Sequence, residues 1–297
     1  MQQTKNLPAR HGVPALLVAG NWEQCWRDTL NAIRANGITK LHLTDFDGTK
    51  YDDVLVQANE ALGPIDPVTG GKRWRIYDGA FKNPDGIKVP NGMVLPDRAT
   101  LRGDRMYMSN GGHLDAEYRD LMAAMRNLHP DADPLEKLIE WVCANIPFIP
   151  GAASFVDNLE QLGIATVGIT NGAYQIAEAL LVHNGLDIPF MGNYFHNGGF
   201  RCVHGDDVGV DKARLVEIAH DMGFQIVSCA GDSKGDIGLS TATAKVGGLV
   251  IVRGSEGGLA SWATHNLQEN QWVLVEDYVD GEALSAVHER IAESAAV

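Results

Sequence analysis

Cysteine is scarce in these 297 residues. Cys25, Cys143, Cys202 and Cys229 stand far apart and form no C-x-x-C pair. That spacing suits neither a zinc knuckle nor a dense disulfide framework, so reduced thiols are expected. Ten histidines supply no H-x-x-x-H pair, which leaves zinc hydrolysis without its usual helical ligand set. No apolar run approaches the roughly 18 residues that a membrane-spanning helix needs. Positive charge is short too: 24 Lys+Arg face 38 Asp+Glu, a net charge of −14 with a pI near 5.0. A surface of that sign repels nucleic acid and anionic lipid, so neither is an expected partner. Lys5 and Arg10 before the apolar stretch Val13 to Ala19 outline a secretory leader. The stretch is short and lacks an A-x-A-like cleavage site, so the expected location is the cytoplasm.

What is abundant points to a folded enzyme-sized chain. Hydrophobic residues make up 45% and charged ones 21%, enough apolar surface for a real core. No segment is low-complexity, and no period of about 20–50 residues repeats. Residues 22–36 predict a helix with Trp22, Cys25, Trp26, Leu30 and Ile33 on one stripe and Gly37 at its end. Ile38 to Thr44 reads as a strand running into Asp45. From about 62 to 112 the pattern dissolves into Gly, Pro, Asp and Asn, with extended pieces at Lys72–Tyr77 and Ile87–Val89. Two helices follow, over about 114–128 and from Asp133, where Pro134 and Glu136 mark a helix start.

From Pro150 onward strands and helices alternate. Helices are expected at 152–162, 173–184, 211–222 and 235–245, strands at 164–170, 226–232, 248–253 and 271–276, and a closing helix from about 280. That alternation predicts an α/β fold, a Rossmann-like doubly wound parallel sheet with helices on both faces. Residues 1–49 and 150–297 would form the core, and 50–149 an inserted cap domain, irregular first and helical second.

In open parallel sheets ligands bind outside the carboxyl ends of the strands, so those ends carry the functional reading. One strand ends in Asp45-Phe46-Asp47-Gly48-Thr49, another in Thr170-Asn171-Gly172, and a third in Gly231-Asp232-Ser233-Lys234-Gly235-Asp236. Each alone has a bland alternative as a turn or a helix cap. Lys212 follows the expected N-cap Asp211, where a cation opposes the helix dipole by roughly 0.3–1 kcal/mol, which suggests an anion to meet. Order and placement of all four decide for phosphoryl transfer. Clustered carboxylates repel unless a hard cation such as Mg2+ sits among them. One carboxylate can attack phosphorus, and a second can protonate the leaving oxygen and then deprotonate water.

These motifs resemble those of the haloacid dehalogenase (HAD) superfamily of hydrolases, over about 38–50 and 150–255. The resemblance implies Asp45 as nucleophile and Asp47 as general acid/base. It makes Thr170 and Lys212, with Asn171, the phosphate binders, and puts Mg2+ on Asp45, the Asp47 backbone carbonyl and Asp232, with Asp236 beside it. The stretch from Pro150 to Gly172, with the helix at 211 and the acidic loop at 231, resembles the phosphoserine-phosphatase-type branch, whose cap lies between the first two motifs, and the gap from Asp47 to Thr170 is ample for one. Lys50 departs from the family pattern, which has an apolar residue after Gly-Thr.

The expected activity is a Mg2+-dependent phosphatase acting on a small phosphorylated metabolite. The alternatives are a phosphomutase or phosphotransferase on the same core, or a non-catalytic module binding a phosphate ligand. A homo-oligomer is compatible with the sequence. Residues 64–112 carry eight basic and five acidic side chains, a locally basic lid in an acidic chain or a solvated surface whose charges pair off.

Overall fold

The computed structural model describes residues 21–65, 67, 70–72, 112–196, 199–201, 203, 210–255, 258–279, 285, 287–289 and 291. The extended pieces expected at 72–77 (beyond Lys72) and 87–89, the leader-like stretch and nearly all of the basic segment lie outside these residues.

Helix α1 (Trp22–Ala35) precedes the central strand β1 (Lys40–Thr44), and α2 (Val54–Leu62) follows the first acidic loop. Next come α3 (Gly112–Leu128), α4 (Pro134–Asn145) and α5 (Ala152–Gln161). Then follow β2 (Ile164–Ala173), α6 (Tyr174–His183), β3 (Phe190–His196) and β4 (Gly199–Arg201). The chain continues through α7 (Lys212–Asp221), β5 (Gln225–Gly231), a 3-10 turn (Lys234–Asp236) and α8 (Ile237–Lys245). It closes with β6 (Leu249–Arg253), α9 (Gly258–Asn266) and β7 (Trp272–Val275). Residues 285, 287–289 and 291 are helical, in the region where a closing helix was expected.

The strands form one sheet in the order β4-β3-β2-β1-β5-β6-β7. All neighbours run parallel except β4, which returns antiparallel along β3. The chain winds outward from β1 through β2 to β3, then crosses back to β5 and winds out on the other side. The expected doubly wound α/β core is therefore present, with its topological switch beside β1.

Its strands read as near-continuous apolar runs because both faces are covered. Leu41, Leu43, Val167, Ile169, Ile226 and Cys229 pack with α1, α7 and α8 on one face. Ile164, Val227 and Ala230 pack with Phe155 and Leu159 of α5 and with Tyr278, Val287 and Ile291 on the other. A third cluster joins Phe46 and Tyr51 of the first acidic loop to α2, α3, α4 and α6. The helical half of the expected cap thus shares one buried cluster with the core.

Candidate active site

Three strands carry the sequence-predicted residues to one end of the sheet. Strand β1 pairs with both β2 and β5, aligning Thr44 with Gly168 on one side and with Ala230 on the other. The Asp45 amide extends the ladder by donating to the Ala230 carbonyl at 2.9 Å. Asp45, Thr170 and Asp232 therefore emerge side by side, and α7 brings Lys212 in from the first turn of a helix.

Lys212 is the hub. Its Nζ donates at 2.6 Å to Asp45 Oδ1 and at 2.6 Å to Asp236 Oδ1. All three side chains are buried: Lys212 is 4% exposed, Asp45 5% and Asp236 0%. One carboxylate oxygen from each of Asp45, Asp232 and Asp236 lies within 4.8 Å of the others. Burial pushes the Asp45 carboxyl well up, and the Asp236 charge adds to that against the pull of Lys212. Burial and Asp236 raise the Asp232 carboxyl to about 7, against the hydrogen bond from Thr49. Burial disfavours the Lys212 ammonium, yet the Asp236 and Asp45 carboxylates outweigh it and hold the cation on. Three acids around one base leave acidic groups in excess at this end of the sheet. The donors are oxygens alone, the set a hard divalent cation takes, so these residues fit Mg2+.

The three acids are held differently. Asp236 Oδ2 accepts from the backbone N–H groups of Asp232 and Ser233, both at 3.1 Å, and from the Ser233 hydroxyl at 3.3 Å. It thereby folds the third motif back on itself as a reciprocal cap of the 3-10 turn. Asp232, by contrast, accepts from the Thr49 hydroxyl at 3.0 Å.

Asp47 points elsewhere, and its carboxylate is not in the three-acid cluster. Its Oδ2 accepts from the Thr170 hydroxyl at 3.2 Å, and its Oδ1 from the Val54 N–H at 3.3 Å. Burial, then the charges of Asp53 and Asp45, lift this carboxyl to about 8. Gly172 explains how the carboxylate sits so close to the second motif: a Cβ there would lie 2.6 Å from Asp47 Oδ2. Thr170 Oγ1 also accepts from the Gly172 N–H at 2.9 Å.

Asn171 is part of a relay of amides. Its Oδ1 accepts from the Val210 N–H at 2.8 Å, and its backbone carbonyl accepts from Asn193 Nδ2 at 2.8 Å. Asn193 Oδ1 in turn accepts from the Val203 N–H at 3.0 Å. The end of β2 is thus pinned to the chain that leads into α7 and Lys212.

Three residues here escaped the sequence reading. Thr49 stands inside the quoted first motif, but nothing in its spacing announces a bond to Asp232. Asn193 lies in the middle of β3, a strand that was not expected. Arg253, at the end of β6, donates from Nη1 to the Gly48 carbonyl at 2.8 Å, and no motif contains it.

No family model matches the chain, and no curated protein matches it. Solved structures do match. One is a phospho-aspartyl intermediate analogue of phosphoserine phosphatase, 17% identical, with 76% of this chain and 90% of that chain covered and a TM-score of 0.45. A HAD-family hydrolase from Salmonella enterica subsp. enterica serovar Typhi is 10% identical, covers 86% and 77%, and has a TM-score of 0.46. Phosphoserine phosphatase from T. onnurineus is 14% identical, covers 84% and 95%, and has a TM-score of 0.43. At such identities and scores these likenesses carry no weight of their own, and the fold rests on the strand order described above. Among the described residues no helix is long and apolar enough to cross a membrane.

Proposed function

We propose that this chain is a Mg2+-dependent phosphomonoesterase of the HAD type that its motifs resemble, working through an aspartyl-phosphate on Asp45. One observation carries the reading: Lys212 bonds at 2.6 Å to both Asp45 and Asp236 within a largely buried three-carboxylate cluster, while Asp47, two residues on, faces Thr170 instead. A nucleophile, a cation and an acid with a separate environment are what phosphoryl transfer through a carboxylate requires.

The Lys212 ammonium on Asp45 Oδ1 favours the ionised carboxylate against burial and leaves Oδ2 to attack phosphorus. As the bond from Oδ2 to phosphorus forms, the ester P–O bond breaks and the departing oxygen takes a proton from Asp47. A carboxyl lifted to about 8 carries that proton at neutral pH, as a general acid must. Asp47, now ionised, takes a proton from water, which attacks the phosphoryl group, releasing phosphate and restoring Asp45. Thr170, Lys212 and the Asn171 side-chain amide supply hydrogen-bond donors for the phosphoryl oxygens. Mg2+, held by Asp45, Asp232 and the Asp47 backbone carbonyl with Asp236 beside them, would neutralise charge that builds on those oxygens.

The substrate class is a small phosphorylated metabolite, and the working compartment the cytoplasm. The test is phosphate release from a broad panel of phosphomonoesters, with Mg2+ and with chelator. We expect release that needs the metal and vanishes in Asp45→Asn, whose circular dichroism should match that of the wild type. Residual turnover equal to the parent would remove Asp45 as nucleophile. No release from any ester, together with a trapped phosphoryl group on Asp45, would assign a phosphotransferase instead.

A further inference from the structure

We propose that Arg253 is a positioning residue for Asp232: it fixes the Gly48–Thr49 peptide, and the Thr49 hydroxyl then orients the Asp232 carboxylate. The inference rests on the reading of Asp232 as a metal ligand.

Arg253 closes β6, the strand beyond β5, and lies outside every motif. Its Nη1 donates at 2.8 Å to the Gly48 carbonyl, and its Nε donates at 3.2 Å to the Glu276 carbonyl. The next amide, Gly254 N–H, donates to the Val275 carbonyl at 2.8 Å. One guanidinium thus joins the first acidic loop to the segment after β7. Its planar fork suits two acceptors at once, which an ammonium cannot match.

At the other end of the path, Gly48 has φ +72, and the Asp232 carboxylate fills the space a Cβ would occupy. The loop backbone therefore runs directly against the carboxylate. A peptide group is a rigid plane, so a hold on the Gly48 carbonyl sets where Thr49 begins. Thr49 is fully buried, its N–H donates to the Phe46 carbonyl at 3.0 Å, and its hydroxyl donates to Asp232 Oδ1 at 3.0 Å. Among the three acids, Asp45 is held by Lys212, and Asp236 by Lys212 and its own loop. Among the described residues Thr49 is the hydroxyl that orients Asp232, and Arg253 is the side chain that bonds the carbonyl just before it. Groups that orient a metal ligand typically change metal affinity about 10–100-fold when they are removed.

The thermal midpoint, followed as Mg2+ is added, reports binding independently of turnover. It should be measured for the wild type, Arg253→Met, Arg253→Lys, Thr49→Val and the double variant Arg253→Met/Thr49→Val. The wild-type midpoint should climb with Mg2+. Arg253→Met should need on the order of tenfold more Mg2+ for the same climb, with KM for the ester unchanged. Arg253→Lys should recover part of that loss, since an ammonium can serve one of the two carbonyls. The double variant should be no weaker than the worse single one, because both changes cut the same path. An unchanged Mg2+ response in Arg253→Met, or fully additive losses in the double variant, would overturn the positioning role. A wild type whose midpoint ignores Mg2+ would instead overturn the metal reading of the carboxylate cluster. Should Arg253→Met fail to fold, the comparison of Arg253→Lys with Thr49→Val decides the matter in the same way.

Discussion

Lys50 is a lysine where the first motif would ordinarily turn apolar, and it is fully buried. Its Nζ lies 4.0 Å from the Tyr278 ring centroid and 5.0 Å from that of Phe155, and among the described residues finds no hydrogen-bond partner. His42, Tyr278 and His288 are the titratable groups around the same Phe155 ring. No carboxylate is among them, so burial alone drives the Lys50 amine down to about 7. The unfolded chain keeps the proton up to the ordinary lysine range, while the folded chain sheds it above about 7. Lys50 therefore burdens the fold most below that value, and the burden fades as pH rises toward about 10. Each tenfold difference in proton affinity is worth roughly 1.4 kcal/mol, while the two aromatic faces offset part of the charge. Lys50→Met should accordingly stabilise the protein by on the order of 3 kcal/mol at about pH 6, with a gain that shrinks by about pH 10. Urea unfolding at the two pH values checks this. A variant less stable than the parent at the lower pH would show that the ammonium is held by something stronger than two rings.

Elements were legible where chemistry and periodicity agreed. The strands after Asp45 were placed within a few residues because parallel strands buried on both faces read as apolar runs between helix ends. Strand β3 was not, since Phe190-Met191-Gly192-Asn193-Tyr194 mixes a glycine and a buried amide into a short run. Helix α2 could have been found: Asp53 caps it by accepting from the Val56 N–H at 3.0 Å, and Val54, Leu55 and Ala58 make its buried stripe. Helix α9 is poor in large apolar side chains, so its periodicity is faint. The site divides along the same line. Asp45, Asp47, Thr170, Lys212, Asp232 and Asp236 stand at element ends that the topology brings together. Arg253 and Asn193 act through backbone carbonyls and amides, which leave no mark on spacing. Helix α4 gives this scale its test. Asp133 Oδ1 accepts from the N–H groups of Leu135 at 2.7 Å and Glu136 at 3.2 Å, as expected from the Asp-Pro start. Asp133→Ala should cost about 1 kcal/mol in urea unfolding, and a loss below a few tenths would mean that water replaces the cap.

At the scale of the whole molecule, helices α3 and α4 and the sheet share one apolar interior. Leu121, Leu138 and Val142 of α3 and α4 are fully buried in the same cluster as Phe46 of the first acidic loop and Leu180 of α6. Tyr118 of α3 packs on Phe195 and Phe200 of the β3–β4 hairpin at centroid distances of 5.1 and 4.9 Å. Its hydroxyl accepts from the Ala173 N–H at 3.1 Å, at the end of the strand that carries Thr170. Separating these helices from the sheet would expose that interior and leave a buried N–H unpaired, so core and helices should melt together. Leu138, fully buried in the middle of α4, provides the probe. Leu138→Ala should cost about 2–5 kcal/mol and lower the midpoint of a single transition, coincident by far-ultraviolet dichroism and by the fluorescence of a variant that keeps Trp26, buried in the core, as its one tryptophan. Two resolved transitions, with the aromatic signal of the core outlasting part of the helical signal, would show that α3 and α4 unfold on their own.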